Sequence, residues 1–422
     1  MNGKPAPRSE STTRREAALG LSVMRWIDHW VGMPACFLLG LFVTAVRRIG
    51  LRRSRAISRR GALAVFKFFG LGSILEATPL LRAIRQRYPR APLVFVTFEG
   101  NDKLVRRLGI CTDVRVIRTG SPIHFAADVL RQIVWLHRHR VEAVLDLEFF
   151  SKFSTLLAFF SGARIRIGFH LNDFWRRSLV THPVYFNYYR HITDVYRQVG
   201  ERLDVSITDT QMSRLNPGDE ARRLVDEFLR AQGWRPGEPL LGVNINAGDM
   251  CPERRWPVER FAELIEALLA TRPNLRIVLT GSPDEQPHVS SLVDRLSAPA
   301  RARTITTAGR WRLDEFIAAL PLFRAFLTND SGPMHFAAAE GVPMVSLWGP
   351  GRPAFYAPHY TDHRTIYADY PCSPCLYMFT TFEAMWCHHE GWCMQAIDVD
   401  TVLRAVESML TGRSPSTNPA TH

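Results

Sequence analysis

Residues 329–335 read NDSGPMH and bring a carboxylate, a hydroxyl, a glycine and an imidazole into one short segment. The segment follows a predicted strand and opens a predicted helix, and ligands of parallel α/β sheets lie beyond the carboxyl ends of strands. Asp330 or Ser331 is expected to cap the helix, Gly332 permits close backbone approach, and His335 can face the same ligand as Ser331. The pattern predicts a ligand-binding loop, with an ordinary capped helix as the alternative.

Two arginines stand just before a second predicted helix. Asn246 follows a predicted strand, and Arg254 and Arg255 precede Pro257, a residue favoured in the first turn of helices. Guanidinium groups offer bidentate donors to phosphate, and the helix N-terminus adds its own amides. The arrangement favours a pyrophosphate contact, with solvated loop arginines as the alternative.

A glycine-containing loop follows the first predicted strand, 63–69. Gly70 and Gly72 stand between strand and helix, where backbone N–H groups can approach an anionic ligand. The dinucleotide fingerprint is absent, because its third glycine position is occupied by Leu75. A ligand-binding loop and a tight structural turn both remain open here.

Short apolar strands alternating with amphipathic helices must position these three loops. Such alternation predicts an α/β fold with parallel sheets. It is interrupted once by Pro- and Gly-rich turns around a charged helix. We therefore predict two Rossmann-like domains facing a central cleft, at 61–215 and 240–411, with a linker at 216–239 and a tail at 412–422.

The first sixty residues are predicted to associate with a membrane. They carry twelve Lys and Arg against three acids, and so hold nine of the thirteen net positive charges of the chain. Residues 30–46 contain no charge, and seven arginines follow between Arg47 and Arg60. Three interpretations remain open: a monotopic anchor with its arginines on anionic lipids, a short span, or a buried helix packed on the main domain. The first two place the protein body at the cytoplasmic face of the inner membrane. This charge distribution favours a membrane over nucleic acid.

The seven cysteines are odd in number, and the polar N-terminal residues do not have the pattern of a cleavable signal peptide, so reduced thiols in the cytosol are expected. Four cysteines lie near the C-terminus, namely Cys372, Cys375, Cys387 and Cys393. They are compatible with a structural metal site or with a reduced structural loop. The spacing of the first pair suits zinc, but that of the second pair is longer than is usual for zinc ligands. Asp398 and Asp400 form a D-x-D triplet, but they directly precede a predicted helix. Helix capping therefore explains them better than metal binding.

Five segments taken in order resemble glycosyltransferase family 9, the ADP-heptose:lipopolysaccharide heptosyltransferases. They are residues 67–73, 77–81, 255–261, 279–283 and 329–335. The resemblance implies a GT-B fold, in which two Rossmann-like domains face one cleft. It also implies inverting transfer of a heptose, an ADP-linked donor, and a lipid-linked or polysaccharide acceptor such as the lipopolysaccharide core. Neither a cofactor nor a catalytic metal is expected from it.

The resemblance also assigns roles to individual residues. The loop from Asp330 to His335 would hold the donor pyrophosphate and sugar, and Arg254 or Arg255 would oppose the phosphate charge. The nucleoside pocket would be lined by Thr280, Gly281 and Glu285. Loops of the N-terminal domain near 99–125 and 168–191 are expected to determine the acceptor, but their sequence has no pattern that identifies it.

One position departs from the family pattern. The family usually has an aspartate, the expected general base, where this chain has Ser73. A serine alone cannot accept the proton of the acceptor hydroxyl. Glu76 lies one helical turn further on, so we hypothesise that it replaces the aspartate, with Glu99 and Asp102 in reserve. The alternative is an inactive or altered protein with the same fold, either a membrane scaffold or an enzyme resembling nucleotide-sugar epimerases.

Overall fold

The computed structural model describes residues 26–48, 61–149, 151–170, 176, 178–248, 251–359, 362–376, 387 and 389–412. Within these ranges the chain forms two six-stranded parallel sheets. Of the predicted N-terminal segment and tail, residues 1–25, 49–60 and 413–422 lie outside the described residues, as do 171–175 and 177 of one predicted acceptor loop. The prediction of two α/β domains in a GT-B arrangement is confirmed.

The N-terminal half has the strand order β3-β2-β1-β4-β5-β6. Its central strands are buried along their whole length, because helices cover both faces of a parallel sheet. The elements are α1 (Met33–Arg48), β1 (Leu63–Phe66), α2 (Leu71–Glu76), α3 (Thr78–Arg87), β2 (Leu93–Phe98), α4 (Asp102–Leu108), β3 (Asp113–Ile117), α5 (Pro122–Arg138), β4 (Ala143–Asp146), α6 (Lys152–Phe160), β5 (Ile165–His170), β6 (His182–Tyr185) and α7 (Ile192–Glu201).

The C-terminal half has the strand order β12-β11-β10-β7-β8-β9. Short 3₁₀ turns at Pro252–Arg254, Pro283–Glu285 and Leu320–Leu322 interrupt its connections. The elements are α8 (Asp219–Ala231), β7 (Leu240–Asn244), α9 (Val258–Thr271), β8 (Arg276–Leu279), α10 (Gln286–Val293), α11 (Ala298–Ala302), β9 (Thr304–Thr306), α12 (Leu313–Ala319), β10 (Phe323–Asn329), α13 (Gly332–Glu340), β11 (Met344–Trp348), α14 (Pro353–Tyr356), β12 (His363–Tyr367), α15 (Trp392–Gln395) and α16 (Val399–Thr411).

The residues predicted to be a linker, 216–239, contain α8, which packs against α12 of the C-terminal half. The rings of Phe228 and Trp311 meet edge to face at 5.8 Å, and Trp234 is buried. This segment therefore lies with the C-terminal sheet. One buried apolar cluster then continues from the N-terminal sheet into the C-terminal half, where it includes Met334 and Trp348.

Helix α1 and the π-helical turn Asp28–Gly32 that leads into it form one helical stretch, which packs on the N-terminal half. At one end the Asp28 carboxylate accepts the backbone N–H groups of Lys152 and Phe153, at the start of α6, at 3.2 and 2.7 Å. At the other end the hydroxyls of Thr44 and Ser178 lie 2.9 Å apart. Both ends of the helix are therefore attached to the domain.

The two faces of this helix differ sharply. Gly32, Cys36 and Gly40 are buried against the domain, and a Cβ on Gly32 would lie 2.6 Å from Lys152 Cβ. The opposite face exposes bulky apolar side chains, namely Trp30, Val31, Phe37, Leu38, Leu41 and Phe42. Among the described residues, one helical stretch, Asp28–Ala45, is long and apolar enough to cross a membrane by length and composition. One face of this stretch packs on the main domain, but only 17% of it is buried, so it is not the buried helix of the third interpretation.

Neither of the two sequence patterns that suggested a metal forms a metal site within the described part of the chain. The Asp398 carboxylate accepts the backbone N–H of Thr401 at 2.7 Å, so it caps α16 as predicted. All seven cysteines are free thiols. Within the described ranges, no three His, Cys, Asp or Glu side chains are placed to hold a metal ion. The described positions of Cys372, Cys375, Cys387 and Cys393 therefore give no support to a bound metal.

Candidate active site

The two halves meet where helices α2 and α13 begin, beyond the carboxyl ends of β1 and β10. Gly70 adopts a left-handed backbone angle, φ +83°, which an L side chain rarely adopts, and this turn starts α2. Pro333 stands in the first turn of α13, and Gly341, also left-handed, ends that helix. The loops predicted from the first and third motifs therefore face each other across the boundary between the halves.

The central contact between the halves joins Glu76 and His335. Glu76 Oε1 lies 2.9 Å from His335 Nδ1, and the two residues are only 1% and 7% exposed. A Cβ on Gly72 would lie 2.4 Å from His335 Cδ2, so a glycine is needed for the imidazole to pack against α2. The structure thus places Gly72 against His335 and brings the predicted base into direct contact with the predicted donor loop.

Buried hydroxyl and imidazole groups surround the Glu76 carboxylate. Burial raises the pKa of Tyr196 well above its usual value, and the nearby Glu76 charge adds to this shift. Burial also raises the pKa of Tyr356, against a lowering effect of the Ser73 hydroxyl. His191 has its pKa lowered to about 4 by burial, opposed by Glu76. Among the described residues, Glu76 Oε2 and the Tyr196 hydroxyl have no hydrogen-bond partner. These groups therefore form a buried polar cluster, in which the dielectric constant is low.

A buried ion pair, which the sequence analysis did not identify, holds the loop after β1. Lys67 Nζ lies 3.1 Å from Glu148 Oε1, and this same oxygen accepts the backbone N–H groups of Phe68 and Phe69. Both charged residues are nearly inaccessible to solvent. The available signal was a lysine inside the apolar run LAVFKFF.

The C-terminal wall of the site contains Arg254 and Asp330. Arg254 Nη1 lies 3.8 Å from Asp330 Oδ2, and Arg254 also donates to the backbone oxygen of Ala247. Burial raises the pKa of Asp330, while the Arg254 guanidinium lowers it. A Cβ on Gly351 would lie 2.1 Å from the Asp330 carboxylate, so the loop after β11 closes on this pair. Arg255 donates to the backbone oxygen of Gly248 at 3.2 Å.

Several predicted donor-binding residues form a buried network under the site. The Asn246 amide donates to Asn244 and to the Thr280 backbone oxygen. The Asn244 amide in turn donates to Ser331 Oγ at 3.0 Å. Ser331 occupies the N-cap position of α13, as predicted, but its side chain makes no capping hydrogen bond. This network joins the carboxyl ends of β7, β8 and β10 and fixes the loop from below.

The remaining predicted residues lie at the rim or elsewhere. Gly332 is exposed, and a Cβ there would meet no atom within 4 Å. Gly281 is half-buried, and Glu285 accepts the Ser282 backbone N–H at 2.9 Å. The two reserve bases are committed elsewhere: Glu99 accepts from Thr119 and Gly120, which lowers its pKa, and Asp102 pairs with Arg106.

The sequence and fold were compared with those of known proteins. The family model described as glycosyltransferase family 9 (heptosyltransferase) matches residues 131–385. The lipooligosaccharide heptosyltransferase 2 of Haemophilus influenzae is 33% identical over 152 residues, which is 36% of this chain and 42% of that protein. The lipopolysaccharide heptosyltransferase 3 of Escherichia coli is 23% identical over 365 residues, or 82% and 97% of the two chains.

Solved structures show the same fold. A glycosyl transferase family 9 protein from Veillonella parvula superposes with a TM-score of 0.69 at 24% identity, covering 85% of this chain and all of that one. The ADP-heptose lipopolysaccharide heptosyltransferase II of E. coli gives 0.65 at 20% identity, with coverages of 83% and 99%. The first curated relatives align over only 36–42% of their own length.

Proposed function

Because the chain belongs to glycosyltransferase family 9, we propose that it transfers a heptose from ADP-heptose to a lipopolysaccharide-core or related saccharide acceptor, with inversion at the anomeric carbon. The observation that carries this proposal is the meeting of both halves at one buried polar site. The N-terminal half contributes Glu76, and the C-terminal half contributes Arg254, Asp330 and His335. A cleft with groups from both domains suits a reaction between two separately bound substrates.

The C-terminal wall supports a nucleoside diphosphate as the leaving group. Arg254 lies beside the start of α13, where Gly332 leaves the backbone open to a ligand. A guanidinium and a helix N-terminus both favour phosphate. Negative charge develops on the diphosphate as the sugar leaves, so these groups stabilise the transition state as well. An E. coli heptosyltransferase of this fold is known with ADP, which motivates the choice of base.

The donor is tested by nucleotide binding. We expect ADP to raise the melting temperature more than UDP, GDP or CMP does. The shift should be detectable, because a ligand at 100 times its Kd stabilises the protein by about 2.7 kcal/mol. Arg254→Ala removes a charge-assisted contact and is expected to weaken ADP binding by about 2 kcal/mol, or roughly 30-fold. Arg223→Ala is the matched control, since Arg223 is exposed on α8 and pairs with Glu227.

Transfer itself is tested with ADP-heptose and heptose-deficient lipopolysaccharide. The expected product carries one added heptose, with the anomeric configuration opposite to that of the donor by NMR. Stronger stabilisation by another nucleotide would mean that the donor sugar is linked to that nucleotide instead of ADP. ADP binding without any transfer would favour the alternative suggested by Ser73, an inactive or altered protein.

We also propose that the protein works at the cytoplasmic face of the inner membrane, with α1 in the lipid interface. The apolar outer face of α1 and the arginines that follow it in sequence support this location. Apolar side chains enter the acyl boundary while basic residues attract anionic lipids. A lipid-linked acceptor would then be presented on the same surface.

A further inference from the structure

Inverting transfer requires a proton acceptor, and two candidates at this site are unsuited to that role. The acceptor hydroxyl loses its proton as its oxygen attacks the anomeric carbon. Ser73, at the position where the family usually has an aspartate, has no basic group. Glu76 has the chemistry but not the access, because it is 1% exposed and Oε1 is bonded to His335. The proton acceptor must be a group that Glu76 can influence and that a substrate can reach.

We propose that His335 is this proton acceptor and that Glu76 is its positioning residue. This assignment rests on the proposed transferase function. The Glu76 carboxylate can only accept a hydrogen bond, so its bond to Nδ1 places the imidazole hydrogen there. Nε2 then carries the free lone pair, and no described residue hydrogen-bonds to it. His335 also stands just after the loop that we propose to hold the donor.

The reaction balances without any further reactant. The acceptor oxygen forms a bond to the anomeric carbon, and its proton passes to His335 Nε2. The bond between that carbon and the diphosphate oxygen breaks, and ADP leaves with the electron pair. The imidazolium that forms is stabilised by the Glu76 carboxylate, 2.9 Å from Nδ1 in a dry environment. The proton later returns to solvent.

The buried Glu76 carboxylate is better compensated after proton transfer than before it. Burying an unpaired charge is costly, and removing one partner of a buried pair leaves that cost in full. Among the described residues, His335 is the one hydrogen-bond partner of the Glu76 side chain. An ion pair forms only when the imidazole gains a proton, so the pair is stronger after proton transfer than before it. Interactions of that kind raise kcat.

His335→Asn is the sharpest test. The asparagine amide can occupy the place of Nδ1 and donate to Glu76, but it leaves no proton acceptor. We expect kcat for heptose transfer to fall by about 100-fold or more, while ADP affinity and the donor KM stay near their wild-type values. Adding imidazole to His335→Ala should restore part of kcat without changing its melting temperature. His363→Ala is the matched control, because His363 is a partly buried histidine bonded to Ser346 and Pro358, and kcat should be unchanged.

Two further variants separate positioning from folding. Glu76→Gln keeps a hydrogen-bond acceptor for Nδ1 but loses the charge, so kcat should fall while the melting temperature changes less than in Glu76→Ala. Ser73→Asp, which restores the family carboxylate, should recover kcat in the His335→Asn background. Wild-type kcat in His335→Asn, or a loss confined to donor KM and ADP affinity, would overturn the assignment. A wild-type protein that binds ADP but transfers no heptose would overturn the proposed function and this assignment with it.

Discussion

At the residue scale, His191 caps a helix and also titrates in a range that affects stability. One substitution can remove the titration and keep the cap. It is the N-cap of α7, and its ring accepts the Thr193 backbone N–H at 3.3 Å. Burial lowers its pKa from 6.5 to about 4, although the Glu76 charge opposes this, and the His359 ring lies 4.2 Å away. A histidine that is harder to protonate in the folded state makes folding sensitive to acid.

The sign of this effect predicts the outcome of His191→Asn. The unfolded chain binds the proton more tightly, so stability is lost as pH falls below 6.5 towards 4. At pH 5 the loss attributable to His191 is about 2 kcal/mol. Asparagine retains the cap and removes the titration, so urea unfolding at pH 7 and pH 5 should show a smaller difference in the variant. His124→Asn, at an exposed histidine on α5, should leave the difference unchanged. Equal acid sensitivity in wild type and His191→Asn would contradict the argument.

The residues of the site were predictable from the sequence to different degrees. Glu76 and His335 were both identified, because a charge in an apolar helix and a polar motif after a strand are local signals. Their contact was not predictable, because 259 residues separate them and only the docking of the two halves joins them. Asn246 and Ser331 were assigned to the donor for the same local reasons, yet their side chains bond within the protein.

At the element scale, the outer face of α1 predicts binding to anionic membranes. Leu38→Ser with Phe42→Ser replaces two side chains that are each 65% exposed and leaves the face that contacts α6 intact. We expect binding to phosphatidylglycerol vesicles to weaken by about 3 kcal/mol, or roughly 100-fold. Leu322→Ser, at an exposed leucine of the C-terminal half, is the control. Equal vesicle sedimentation of the double variant and wild type would exclude this face as the anchor.

The packing of α2 on α13 predicts an unusual response to alanine at Gly72. Alanine normally stabilises a helix relative to glycine. Here its Cβ would lie 2.4 Å from the His335 ring, so we expect Gly72→Ala to destabilise the protein by about 1–3 kcal/mol. Gly332→Ala, at the first residue of α13 where the Cβ meets nothing within 4 Å, should not destabilise the protein. Guanidinium unfolding of both variants tests the contact, and equal effects would contradict it.

Element boundaries show where local patterns fail. The predicted strand 63–69 ends at Phe66 in the structure, because the backbone N–H groups of Phe68 and Phe69 turn to the Glu148 carboxylate. That oxygen comes from the loop after β4, eighty residues away. The alternation of strands and helices was readable because it depends on the local burial pattern, whereas this turn depends on a distant charge.

At the scale of the whole molecule, the two halves share a core as well as a site. Phe355 of the C-terminal half is 1% exposed and packs among aromatic rings of the N-terminal half. Its ring centroid lies 5.7 Å from that of Phe186 and 5.1 Å from that of Tyr188. The sequence predicted two domains around a cleft, but not this insertion, because nothing local distinguishes Phe355 from any other buried aromatic residue.

This shared core predicts that the two halves unfold together. Chains with several domains often unfold in steps, but separating these halves would expose Phe355 and leave Glu76 without His335. We therefore expect a single calorimetric transition for the wild-type protein. Phe355→Ala should lower stability by about 3–5 kcal/mol and split the transition in two, because it weakens the contact between the halves. Phe261→Ala removes an equally buried ring from the interior of the C-terminal half, so it should lower the melting temperature and retain one transition. Two transitions in the wild-type protein would mean that the contacts of Phe355 and of Glu76 with His335 are too weak to make the halves one cooperative unit.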